Sequence, residues 1–381
     1  MNILRVSLLT IGLIAFSLPF ISVKSQVPNT DQKPFGLKDA FEGKFLIGTA
    51  LNMNQIWRSH QAPIKVLKQH FNSIVAENSM KSMFLQPREG EFNFKNADLF
   101  VEFGKKNDME IIGHTLIWHS QAPRWFFSDK EGQDVSREVL IERMRQHIHT
   151  VVSRYKGQIK GWDVVNEVIL DNGEWRKSKF YEIIGDDFIK LAFQFAHEAD
   201  PEAELYYNDY NTAIPAKREG IGRVIKQILD SGGRVDAIGM QEHHGLHFPS
   251  LNEVENSIKY FSNLGVDVMV TEMDISVLPH ARPNAGANIS DTSAFRKELN
   301  PYPDGLPDDV MLQLGKRYID FFRLYLKHQD KISRVTLWGI SDKDSWLNNF
   351  PVRGRTNYPL LFDRQYNPKP FVKEIIALAK E

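Results

Sequence analysis

Two carboxylates stand in matched settings. Glu167 closes the run Gly161-Trp162-Asp163-Val164-Val165-Asn166-Glu167, and Glu272 lies inside Val268-Met269-Val270-Thr271-Glu272-Met273-Asp274. Each follows β-branched and apolar residues that predict a buried strand, so each carboxylate sits where a strand runs out. A carboxylate there is costly to desolvate, and a soluble fold rarely keeps two without a use for them. Two such groups facing one cleft are the minimal equipment for breaking a glycosidic bond. One protonates the leaving oxygen, and the other attacks or activates water.

The elements that must position this pair alternate along the chain. Strands are predicted over Phe45–Ala50, Ser73–Glu77, Glu110–Leu116, Ile159–Asn166, Glu204–Asn208, Ala237–Gln241, Asp267–Glu272 and Arg334–Gly339. Between them fall amphipathic helical stretches, among them Arg137–Tyr155, Phe188–Ala199, Ala216–Ser231 and Val310–Lys327, with apolar residues at three- and four-residue spacing. This alternation predicts an α/β fold, a single (β/α)8 barrel, in preference to an open sheet. The polar and aromatic oddities gather just after the strands: Glu77-Asn78, His114 to Trp118, Asn166-Glu167, Asn208 to Asn211, Gln241 to His244, Glu272 to Asp274, and Trp338. In a barrel these positions share the C-terminal face, where such folds carry their chemistry. A long connection over 276–307, rich in Pro, Asn, Ala and Gly, follows the seventh strand and is expected to lie beside the cleft.

Composition narrows the field. The 381 residues are 42% hydrophobic and 25% charged, as in an ordinary globular protein. A formal net charge of −1 offers no electrostatic attraction to a nucleic acid. Arg5 precedes an apolar stretch from Val6 to Val23, which predicts a secretory signal peptide over 1–25 with small enough residues at Val23 and Ser25 for cleavage. A polar, Pro-containing leader over 26–36 and a catalytic domain over 37–381 complete the expected organisation. With no cysteine, stability must come from a large core. The expectation is a monomer, secreted or periplasmic, with no membrane segment once mature.

Taken together, the motifs resemble a known family. Glu77-Asn78-Ser79-Met80-Lys81, Gly113-His114-Thr115-Leu116-Ile117-Trp118-His119, Trp162-Asp163-Val164-Val165-Asn166-Glu167, Asn208-Asp209-Tyr210-Asn211, Gly239-Met240-Gln241-Glu242-His243, Thr271-Glu272-Met273-Asp274 and Leu337-Trp338-Gly339 look like those of glycoside hydrolase family 10 endo-β-1,4-xylanases. The match runs in family order from about Phe41 to the C-terminus. It implies a (β/α)8 barrel and a retaining, two-step attack on xylan and xylo-oligosaccharides that needs no cofactor or metal.

Carried over residue by residue, Glu167 is the general acid/base and Glu272 the nucleophile. Asn166 is placed to donate to the sugar 2-hydroxyl. His243 is expected to hydrogen-bond the nucleophile, with Asp274 orienting the histidine and Gln241 at the same subsite. Glu77, Asn78, Lys81, His114, Trp118 and Gln121 resemble the glycone side of the cleft. Tyr210 resembles a platform on the leaving-group side. The resemblance further implies a cis peptide at His114-Thr115. Trp118, Trp338 and Trp346 offer flat faces for pyranose rings, and crowding near Trp338 and Trp346 would reject the hydroxymethyl group of glucose. Trp57, Trp125, Trp162 and Trp175 are assigned to core or loops. His243-His244-x-x-His247 beside Glu242 invites a metal reading, but adjacent histidines diverge on a strand and no His-Glu-x-x-His pattern occurs. Retention calls for carboxyl groups about 5 to 5.5 Å apart, inversion for about 6.5 to 9.5 Å. A β-1,4-glucanase on the same barrel is the near rival. A non-catalytic polysaccharide-binding protein is the distant one.

Overall fold

The computed structural model describes residues 35–57, 61–280 and 292–381. The signal peptide over 1–25, most of the 26–36 leader and the middle of the 276–307 connection lie outside the described residues.

Among the described residues nine strands follow one another: β1 (Leu46–Leu51), β2 (Ser73–Ala76), β3 (Glu110–Trp118), β4 (Gly161–Asn166), β5 (Glu204–Asp209), β6 (Ala237–Met240), β7 (His243–Gly245), β8 (Asp267–Ser276) and β9 (Ile332–Leu337). Every pairing between them is parallel, and two pairings, β1 with β9 and β6 with β8, close the sheet on itself. β7 pairs with the far end of β8, so β6 and β7 are two pieces of one stave. The result is an eight-staved barrel. The predicted strands all form, with ends moved by a few residues. The largest differences are the Glu272 strand, which runs on to Ser276, and the predicted Ala237–Gln241 strand, which stops at Met240 and resumes at His243.

The helices form where the apolar spacing puts them. In Asp187–Ala199 the buried residues include Phe188, Ile189, Ala192, Phe193 and Ala196, a stripe that faces the barrel. Ser136, Ser178 and Ser250 start three helices by accepting a backbone N–H with their side chains, which satisfies a donor the helix itself leaves open.

Two apolar layers result. One lies between strands and helices and holds most of the core, including Trp162. The other lies among Ala50, Val75, Ile112, Tyr206, Ala237, Met269 and Trp338, with Trp346 packed against it. Small residues on the strands make room for large ones. A Cβ on Gly113 would fall 2.1 Å from Cε3 of Trp162, so only glycine lets that indole pack across β3.

The segment after β9 returns across the barrel mouth and is clamped by a buried pair. Lys369 Nζ donates to Asp342 Oδ1 at 3.1 Å and to the carbonyls of Tyr358 at 2.8 Å and Leu360 at 2.6 Å. Burial pushes the Asp342 carboxyl up to about 6 and draws the Lys369 ammonium down. The clamp holds the turn that bears Trp338 and Trp346. Lys369→Met leaves Asp342 without its partner in the interior, a loss of about 3 to 5 kcal/mol. Equilibrium denaturation should show the midpoint falling accordingly.

Candidate active site

Strand register sets the site. Trp118 of β3, Asn166 of β4 and Asn208 of β5 are neighbours in the pairing, and Gly239 of β6 follows Asn208. Parallel neighbours stand about 4.8 Å apart, which brings their side chains within hydrogen-bond reach. A Cβ on Gly239 would fall 2.4 Å from Asn208 Oδ1, so the glycine keeps open the space that Asn208 occupies. Irregularities interrupt the pairing within β3, β4 and β8, in the last case between Val270 and Met273. Such breaks re-aim side chains at barrel rims.

Glu167 follows β4 with φ of 59°, a left-handed backbone that costs a residue with a Cβ about 1 to 3 kcal/mol. The conformation is held from both sides. Its N–H donates to the Asn208 carbonyl at 2.9 Å, and its own carbonyl accepts from Arg176 Nε at 2.9 Å. The carboxylate is buried. Oε2 accepts from the indole N–H of Trp118 at 3.0 Å, and Oε1 accepts from Gln241 Nε2 at 3.1 Å and Asn166 Nδ2 at 3.2 Å.

Glu272 lies within β8 and is equally buried. Its Oε1 accepts from Asn208 Nδ2 at 2.7 Å, and its Oε2 lies 3.2 Å from His243 Nε2. The same Asn208 amide donates to Asn166 Oδ1 at 2.9 Å. The two carboxylates are thus joined through Asn166 and Asn208. Behind His243, Nδ1 lies 3.1 Å from Asp274 Oδ1, a charge contact without hydrogen-bond alignment. Asp274 is fixed in turn by the indole N–H of Trp346 at 2.8 Å.

The surroundings treat the two glutamates oppositely. Burial drives the Glu167 carboxyl above its ordinary range, and the negative charges of Asp209 and Glu272 push the same way against the Gln241 and Trp118 hydrogen bonds. Burial acts on Glu272 too, but its hydrogen bond to His243, the positive field of His114 and His243, and the Asn208 bond together draw it below the ordinary range. His243 resists burial because Asp274 and Glu272 flank it, and is held up to about 10. Glu167 therefore holds a proton more tightly than an ordinary glutamate and Glu272 less tightly, with His243 beside the second.

Most of the sequence-predicted residues converge. The cis peptide stands at His114-Thr115. His114 Nδ1 lies 2.9 Å from Asp163 Oδ2, with its ring edge-on to Trp338. Lys81 caps the start of the helix Ser82–Leu85 and is buried, with Nζ donating to Asn78 at 3.1 Å and the charges of Glu272, Glu77 and Glu167 about it. It is no solvated surface charge. Glu77 accepts from Asn52 and Asn78, and burial pushes its carboxyl up. Trp118 differs from a bare sugar platform, since Lys81 lies 4.8 Å over its ring and its N–H is spent on Glu167. Tyr210 is 5% exposed, with its hydroxyl taking a bond from Arg176 at 2.8 Å and Lys217 Nζ 3.4 Å over the ring. Gln121 joins through its backbone, accepting from Met83 N–H at 3.1 Å. Of the four tryptophans assigned to core or loops, Trp162 is fully buried and Trp57 is 54% exposed.

Sequence reasoning missed Asn208, Asp163, Arg176 and the buried Asp209–Lys217 pair at 2.8 Å. Asn208 was within a quoted motif, but only the strand register reveals that it bridges both glutamates. Beyond His243 and Trp346 a cavity of about 610 Å³ continues between Phe350 and the near limb of the long connection, Leu278 to His280.

For labelled glutamates, a ¹³C NMR titration should find Glu167 titrating above the free-glutamate range and Glu272 below it. His243→Gln removes the cation, so the Glu272 midpoint should rise while Glu167 stays high.

The comparisons with known proteins agree with this geometry. A family model described as glycosyl hydrolase family 10 matches residues 36–378. Endo-1,4-beta-xylanase A of Xylanibacter ruminicola is 52% identical over 361 residues, covering 95% of this chain and 96% of that protein. Endo-1,4-beta-xylanase of Geobacillus stearothermophilus is 44% identical over 347 residues, covering 90% of this chain and 98% of the relative. A solved structure of a GH10 endoxylanase from a sugarcane soil metagenome superposes with a TM-score of 0.88 at 45% identity, covering 90% of this chain and 100% of that one.

Proposed function

Because the chain belongs to glycosyl hydrolase family 10, we propose that it is a retaining endo-1,4-β-xylanase that cleaves internal bonds of xylan by double displacement. The observation that carries the reading is the opposite protonation preference of two buried carboxyls joined through one asparagine pair.

In the first step Glu272, ionised, attacks the anomeric carbon from one face of the ring while Glu167 gives its proton to the departing glycosidic oxygen. The C–O bond to the leaving chain breaks and an ester to Glu272 forms. With its proton gone, Glu167 then takes a proton from water, which attacks the same carbon and frees Glu272. Configuration is retained through two inversions. The imidazolium of His243 stabilises the charge that Glu272 carries before attack and regains on release. Asn166 is fixed by the two donors on its Oδ1, from Asn208 at 2.9 Å and Gln241 at 3.3 Å, which aims its own amide N–H toward Glu167 and a sugar 2-hydroxyl. Lys81, Glu77, Asn78 and His114 form the glycone wall, and Tyr210, held by Arg176, the leaving-group side. Trp338 and Trp346 close the space a hydroxymethyl group would need. A single barrel supplies every one of these groups, so a monomer suffices.

Secretion through a cleaved segment at residues 1–25 belongs to the same proposal, since the polymer is too large to enter a cell. Among the described residues no helix is long and apolar enough to cross a membrane.

Product analysis on glucuronoxylan, with carboxymethyl-cellulose alongside, tests the reading. Short xylo-oligosaccharides from xylan, little from cellulose and none with Glu272→Ala are expected, and the first product seen by NMR should be the β-anomer. Predominant cleavage of cellulose would transfer the specificity to a glucanase, and an α-anomer would overturn retention.

The pH profile of kcat/KM should be bell-shaped, with Glu272 setting the acid limb and Glu167 the alkaline limb. With an aryl xylobioside whose phenol leaves without a proton, Glu167→Ala should lose the alkaline limb. His243→Gln should move the acid limb to higher pH, because Glu272 then needs a higher pH to ionise.

A further inference from the structure

The stave that carries Gln241 and His243 is broken at Glu242, and the break is built in an unfavourable way. β6 ends at Met240, β7 begins at His243, and Glu242 between them has φ of 62°. That backbone favours glycine, yet the position holds a glutamate only 3% exposed. Both the strain and the buried carboxylate run against local preference, a pattern that marks sites shaped by function.

The carboxylate is spent on an anchor. Its Oε2 accepts from His244 Nε2 at 2.6 Å and from the Tyr325 hydroxyl at 3.2 Å. Tyr325 belongs to the helix Asp308–Lys327, outside the barrel, and the His244 ring stacks on Phe321 of the same helix with centroids 4.6 Å apart. The two residues beside Glu242 point the other way. Gln241 donates to Glu167 at 3.1 Å, and His243 lies 3.2 Å from Glu272. The carbonyl of Glu242 also accepts from the N–H of Asp274, the residue behind His243.

We infer that Glu242 is a positioning residue for both glutamates, its carboxylate pegging the broken stave to the outer helix so that Gln241 and His243 meet Glu167 and Glu272. The inference rests on the roles given to that pair above. It does not place Glu242 in contact with substrate.

Three variants test it. Glycine accepts the left-handed backbone without strain, so Glu242→Gly removes the peg and keeps the turn. Losing the buried anchor should lower the thermal midpoint, so kcat is read well below it, where it should fall about ten- to a hundredfold with KM little changed, the scale of loss that misplaced catalytic groups produce. The fall should appear in kcat with xylohexaose, which needs both glutamates, and in kcat/KM with an activated aryl xylobioside, whose first step needs only Glu272. Because both hydrogen bonds land on one oxygen, the amide oxygen of Glu242→Gln can accept both, and that variant should regain most of the lost rate. Tyr325→Phe deletes one of the two bonds and should lower kcat in the same direction by a smaller factor.

Wild-type kcat in Glu242→Gly, or equal losses in the glycine and glutamine variants, would overturn the proposal. A loss confined to xylohexaose would also overturn it, since only the Gln241 arm would then be served. Glu272→Ala, assayed in parallel, separates this from failure of the underlying reading. Activity surviving there would remove the nucleophile assignment itself, whatever the Glu242 variants did.

Discussion

Burial of two like charges at one barrel mouth is the constraint on which the rest depends. Neither carboxylate can be left in the interior uncompensated, and their mutual repulsion disfavours ionising both. The fold resolves this asymmetrically. Glu272 is given His243, the field of His114 and a donor from Asn208, while the hydrogen bonds to the Glu167 carboxylate come from neutral Trp118, Gln241 and Asn166, with the negative charge of Asp209 nearby. Nearly every polar residue near the rim is a consequence of that division. Asp274 holds the imidazolium charged, Trp346 holds Asp274, and the Lys369–Asp342 clamp holds the segment that carries Trp346.

The barrel makes such an arrangement possible because its staves are parallel and in fixed register. Trp118, Asn166 and Asn208 come from three strands but stand side by side, so one amide can serve both glutamates. Small residues pay for this closeness with lost side-chain packing, as at Gly239, where any Cβ would collide with Asn208. Strain is concentrated at the same rim. Glu167, Gln121, Asn211 and Glu242 all adopt positive φ, each at a turn where a strand gives way to a loop. Rigid staves below and ordered backbone bonds around these turns are what hold them there.

A second layer of charge lies behind Tyr210. Lys217 and Asp209, both fully buried, pair at 2.8 Å, and Lys217 also lies over the Tyr210 ring. Arg176 ties the Tyr210 hydroxyl to the carbonyl of Glu167. Glu167 and Tyr210 are therefore parts of one bonded unit.

What the sequence determined by itself was the alternation of elements and the residues at strand ends. Period-two and three-to-four spacing report burial of faces, and burial depends on local composition, so the barrel, its helices and the glutamate pair were all legible. Motif order supplied the family and, through it, His243 and Asp274 beside Glu272 and Lys81 at the cleft, while Trp346 was expected as a sugar face and not as the donor to Asp274 that it is. Tertiary structure alone decided which side chains meet. That β6 breaks at Glu242 is a matter of one residue's backbone angle, which no composition signals when the residue is not glycine. The bridge by Asn208 depends on register between strands about forty residues apart, as does the pairing of His114 with Asp163. The family resemblance assigned opposite leanings to Glu167 and Glu272, but their nearly identical settings along the chain supplied no physical cause for them, because ionisation is governed by charges and donors within a few ångströms in space, and those arrive from other strands.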